Sequence, residues 1–142
     1  MPVEGLLANS EFSMKILDWV LRITAAFILL QTLFFKFSGA PESVAIFTEL
    51  GMEPGGRILI GVIELIAAIL LLIPQSAAYG GLLGAGVMTG AILGHITKLG
   101  FAGEMFSLGM LAILVFLRCA AVRCLHRDQI PLIKRMLDTK ER

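Results

Sequence analysis

Apolar residues in this chain come in long blocks with short polar punctuation, and the blocks have the length of a bilayer. A hydrocarbon core of about 30 Å takes about 20 residues of α-helix. Four stretches meet that length and are predicted as membrane-spanning helices: 16–36, 54–73, 76–97 and 104–123. Pro54 suits a first helical turn, Pro74 ends the second run, and Ser76 is the expected N-cap of the third. The fourth has a short uncharged core, Met105 to Leu117, so Arg118 is expected to snorkel toward the headgroups. The first run lacks a basic leader and a small-residue cleavage site, so it is expected to be a retained helix.

Basic residues orient the spans. Lys15, Arg22, Arg118, Arg123, Arg127, Lys134, Arg135, Lys140 and Arg142 fall on one side, and only Lys36, Arg57 and Lys98 on the other. The positive-inside bias puts both termini in the cytoplasm. The expected fold is therefore an all-α, up-down-up-down bundle of four transmembrane helices. Residues 1–125 form its domain, and residues 126–142 a basic amphipathic tail. Leu132, Ile133, Met136 and Leu137 of that tail share one face, which suits an interfacial anchor. Pro74-Gln75-Ser76 is a tight cytoplasmic turn, and Phe37 to Glu53 a long outer loop with Glu42, Glu49 and Glu53.

Composition agrees. Hydrophobic residues make up 57% of the 142 and charged residues 16%, against roughly 45–50% and about 25% in soluble domains. The net charge of +1 and the lack of basic-aromatic interleaving give no support to a nucleic-acid partner. Cys119 and Cys124 read as free thiols, and no ligand spacing suggests a metal.

One residue breaks the pattern. Glu64 lies in mid-span, where an ionised carboxylate costs roughly 2.5–3.5 kcal/mol. Its same-face neighbours Ile60, Gly61, Ala67 and Ala68 are mostly small, which suits a face packed on another helix. On the first span Lys36 follows Ala25, Leu29 and Thr32 along one stripe. On the third, His95 follows Gly84, Met88 and Ala91. Lys36, Glu64 and His95 are thus expected to converge in the outer half of the bundle, with Thr32 and Met88 beside them. A neighbouring cation favours ionised Glu64 and desolvation favours the protonated form, so both states stay open. Taken singly, Lys36 is an interface anchor and His95 an interfacial or hydrogen-bonded histidine. Gly86, Gly90 and Gly94 form a GxxxGxxxG run, with Gly80 and Gly84 one turn earlier, expected to serve packing within the bundle first and a homodimer face second.

The order of these pieces resembles the DoxX-like family of small four-helix membrane proteins. The matching segments are Lys36-Phe37, the F-x-x-L-G turn at Phe47 to Gly51, G-x-x-E-L at Gly61 to Leu65, and Met88 to His95. The resemblance runs from about Trp19 to about Leu117. It implies a four-helix integral membrane bundle in which Lys36, Glu64 and His95 are recurrent polar positions. The family takes its name from a subunit of an archaeal thiosulfate:quinone oxidoreductase, and several members are associated with redox roles. This chain carries no flavin, nucleotide or haem fingerprint. No intrinsic cofactor is expected, and electron transfer needs a bound quinone or another subunit.

Three functions compete. In the first, an outer-half pocket in the inner (cytoplasmic) membrane holds a quinone or a lipid, and the protein serves a membrane redox system. Lys36 and His95 donate to its head, and Glu64 accepts or relays a proton. In the second, the Lys-Glu-His cluster only fixes helix packing, and the chain is an assembly module. The third, a proton-coupled carrier, needs a dimer to supply alternating access. Partners are then the bilayer, and a second copy or a redox subunit. The sequence assigns no reaction and no catalytic residue.

Overall fold

The computed structural model describes residues 2–131, 135, 138 and 139. The described residues are helical without strands: α1 (Pro2–Ser38), α2 (Pro41–Glu49), α3 (Gly55–Leu72), α4 (Ala77–Gly94) and α5 (Glu104–Leu125). A 3-10 turn, Pro74–Ser76, joins α3 to α4, and a π-helical turn, His95–Leu99, extends α4. Four segments are long and apolar enough to cross a membrane: Val3–Ser38, Gly55–Leu72, Pro74–Leu99 and Glu104–Leu125. This is a multi-pass membrane protein.

Three expectations need correction. The first helix does not begin near Ile16. It runs unbroken from Pro2, because nothing between Val3 and Lys15 interrupts a helix, and that leading stretch is exposed throughout. The segment from Phe37 to Glu53, expected as a loop, contains a helix: Pro41 starts α2, whose Ser43 and Phe47 are buried. Ser76 sits at the start of α4 but makes no side-chain cap. Its hydroxyl donates backward to the carbonyl of Leu70, which the ending of α3 leaves without a helical partner, and to that of Ile73, which also accepts the Ser76 amide. The predicted amphipathic face of the tail (Leu132, Ile133, Met136, Leu137) lies outside the described residues, as do Lys134 and Lys140.

α1 packs on α3, α3 on α4, α4 on α5, and α5 returns to α1, closing a ring of four. Small residues set the spacing. Ala25, Ala26, Ala67, Ala68 and Ala77 are fully or almost fully buried together with Leu29, Leu71, Val115 and Val122. In lipid, where helix association rests on close van der Waals contact, such faces let backbones approach. Three glycines of α4 do the same. A Cβ at Gly80 would stand 2.5 Å from the Leu71 amide nitrogen, one at Gly81 2.6 Å from the Cys119 carbonyl, and one at Gly84 2.7 Å from Cys119 Sγ.

Gly86 and Gly90 meet nothing within 4 Å, and Gly94 faces Leu50 of the α2 end. The GxxxGxxxG run is therefore not the internal packing seam. At 3.6 residues per turn, Gly86 stands about 200° round the helix from Gly84. Outward-facing side chains such as Phe27, Phe34, Leu93, Ile96 and Leu117 are exposed and apolar, as a lipid-facing surface requires.

The end of the bundle near Arg22 is closed by polar contacts. Arg22 is 1% exposed, so it is not the headgroup cation that the charge pattern suggests. Its Nε donates to the Leu71 carbonyl at 2.6 Å, Nη1 meets Asp18 at 3.3 Å, and the guanidinium lies over Trp19. The second oxygen of Asp18 meets His126 Nε2 at 2.8 Å. Gln129 bonds the Pro74 carbonyl and the Ala78 amide. His126 and Gln129, assigned to the tail by the sequence, are thus tied to the bundle. Arg118 donates to Thr24 Oγ1 across the α1–α5 seam and does not snorkel freely. Cys119 is buried and Cys124 exposed.

Candidate functional site

The opposite half of the ring is not filled. A cavity of about 560 Å³ lies between α1, α2, α3, α4 and α5, with Ile28, Leu29, Ala112 and Val115 among its lining residues where it adjoins the packed core. Its wall is mostly apolar, with Phe47, Met88 and Leu111 among the lining residues. Lys36, Thr32, Glu64 and His95 supply polar groups, and the exposed carboxylates of Glu42 and Glu104 stand at its rim.

Glu64 is 3% exposed and comes from the buried stripe of α3, between Gly61 and Ala67. Its Oε2 pairs with Lys36 Nζ at 2.9 Å and accepts from Thr32 Oγ1 at 3.1 Å. Lys36 and Thr32 lie one helical turn apart on α1, so one face of that helix presents both groups to one oxygen. Two charges within an ion-pair distance, taken out of water together, offset each other's desolvation. Oε1 of Glu64 has no hydrogen-bond partner among the described residues, while its residue lines the cavity.

His95 sits at the junction where α4 gives way to the π-helical turn, a distortion that recurs at functional sites. It is 5% exposed. Its Nδ1 lies 3.0 Å from the Gly100 carbonyl, and its ring packs on Phe101 with centroids 5.3 Å apart. Gly100 holds φ +74° and ψ −174°, a region open to glycine almost alone, and this turns its carbonyl onto the imidazole. His95 makes no direct bond to Lys36 or Glu64 among the described residues. The structure therefore joins Lys36, Thr32 and Glu64 by contact, and brings His95 and the buried Met88 to the same cavity without contact to that pair.

The site has a support that the sequence pattern does not reveal. Arg57, 8% exposed, is gripped by both oxygens of Glu53 at 2.8–3.0 Å and donates to the Lys36 carbonyl. It thereby fixes the end of α1 on which Lys36 rides. The i, i+4 spacing of Glu53 and Arg57 is the one available signal, but Pro54 between them argues against a shared helix.

A ring of four apolar helices around a buried ion pair and a one-sided cavity defines the class: a small four-helix integral membrane protein with an intramembrane polar site. The profile of the DoxX-like family matches residues 20–117, more than half of the chain. The chain belongs to the DoxX-like family. No curated protein and no solved structure matches it.

Proposed function

We propose that this protein binds a small amphipathic molecule, a quinone or a lipid, in the cavity above the Lys36–Glu64 pair, and that it serves a membrane redox system as a subunit. One observation carries the reading: an apolar cavity of about 560 Å³ abuts a buried carboxylate and a buried imidazole that each keep an unused hydrogen-bonding atom. Ligand sites are concave, mostly apolar and oriented by a few polar groups. Lys36 would hold the head of the molecule, and the apolar wall its chain. The reading includes an up-down-up-down course with both termini cytoplasmic in an inner membrane. The pairing of Arg22 with Leu71 and of Arg57 with Lys36 supports antiparallel α1 and α3.

A second reading rests on the direct Lys36–Glu64 contact, which alone would serve as a clamp fixing helix register. A clamp needs no adjoining space, and the unfilled cavity favours binding. Ala91 is partly buried and lines the cavity, so Ala91→Phe tests the choice by filling it. Extraction and mass analysis of co-purified small molecules should show an amphipath enriched with wild type and depleted with Ala91→Phe, at equal helix content. Equal recovery from both proteins overturns the binding reading.

A further inference from the structure

The unused atoms of the site have a definite character. A backbone carbonyl only accepts, so the short contact between His95 Nδ1 and the Gly100 oxygen places a proton on Nδ1. The neutral ring then presents Nε2 as a bare acceptor, and Nε2 has no protein partner among the described residues. Oε1 of Glu64 is a second acceptor in the same position. Two acceptors on residues 5% and 3% exposed line one cavity. A head with only carbonyl oxygens would leave both unmatched, and an unmatched buried polar atom costs about 1–3 kcal/mol.

Charge narrows the class further. The formally charged residues lining the cavity are Lys36 against Glu42, Glu64 and Glu104. Glu64 already neutralises Lys36, and the two exposed glutamates at the rim oppose the entry of an anion. A cationic head would have to sit beside the Lys36 ammonium. Neither sign of charge is matched inside, whereas an O–H group is.

Resting on the binding reading above, we propose that the cavity selects an uncharged amphipath whose head bears a hydroxyl, a long-chain alcohol or phenol, over a carboxylate or amine of equal length. The hydroxyl donates its one proton to His95 Nε2, and its own oxygen accepts from Lys36. This reverses the donor role that the sequence pattern suggests for His95.

Diazirine-bearing hexadecanol, hexadecanoate and hexadecylamine, each added to the full chain in phosphatidylcholine vesicles, test it. The alcohol should crosslink to cavity-wall residues such as Met88 and Leu111 at least fivefold more than the other two. His95→Phe, which keeps a ring against Phe101, should lower alcohol labelling about fivefold, the effect of one hydrogen bond. The ranking of heads is read on wild type, so it stands even if the variant does not fold. Labelling of the cavity by carboxylate or amine as strong as by alcohol overturns the selectivity and leaves cavity binding intact. Unchanged alcohol labelling in folded His95→Phe overturns the role of Nε2. No labelling of the cavity by any probe overturns the binding reading itself.

Discussion

The two oxygens of Glu64 are treated differently: Oε2 takes Lys36 and Thr32, and Oε1 takes nothing among the described residues. The two ends of the pair are also unequal. Lys36 lies in the last turn of α1 with its side chain 13% exposed, whereas the Glu64 side chain is 4% exposed in mid-helix. Losing Glu64 leaves a long cation that can swing toward the headgroups. Losing Lys36 leaves a carboxylate that is held in mid-helix without its partner and cannot move to water. Lys36→Met should therefore destabilise the protein by about 3–5 kcal/mol, the cost of stranding one partner of a buried pair. Glu64→Gln should cost only about 1 kcal/mol. Thermal unfolding in detergent, followed by circular dichroism, checks the order. A smaller loss for Lys36→Met than for Glu64→Gln would count against the unequal burial argued here. Glu64 was legible in the sequence because a mid-span carboxylate is conspicuous. Arg57 was not, because its partner Glu53 lies across a proline and the carbonyl it grips belongs to another helix.

At the scale of helices, spacing alone picked out Gly80 and Gly84 of the packing seam but also Gly86, which faces away from it. A run of small residues marks a face but does not say which way the face points. Gly80, Gly81 and Gly84 share the buried side of α4, Gly86 lies on the outer side, and Gly90 borders the cavity. Gly81→Leu would drive a side chain against the Cys119 carbonyl and the Arg123 amide, backbone atoms that cannot rotate aside. It should cost about 3 kcal/mol or prevent folding, as overpacking of a tight core does. Gly86→Leu enters open space and should leave the melting temperature of the isolated protein unchanged. Equal stability of the two variants would contradict this assignment of faces. The spans themselves were legible, because each is a bilayer-length apolar block with a proline, glycine or charged residue at its ends. α2 was not: nine residues, Pro41–Glu49, with their apolar side chains in one run at Val44 to Phe47, carry too little periodicity to separate a helix from a loop.

The whole molecule divides into a packed half and an open half. Alanine and glycine seams close the bundle from Ala25 and Leu71 to Val122, and polar latches at Arg22, His126 and Gln129 finish that end. Toward Lys36 and His95 the helices stay apart, bridged by α2 and the π-helical turn around a cavity of about 560 Å³. Sequence pattern predicted that polar residues gather in this half. The binding hypothesis called for a pocket among them, but its size and walls were not legible, since a void is set by how side chains of several helices fail to meet. The proposed function stands or falls on whether this space holds a small molecule with its head at the Lys36–Glu64 pair. Native mass spectrometry of wild type and Glu64→Gln, released from detergent micelles, tests it most directly. Wild type should carry an added small-molecule mass that Glu64→Gln lacks while remaining folded. A bare wild-type mass, with Glu64→Gln unable to fold, would contradict the claim and leave the ion pair as a clamp.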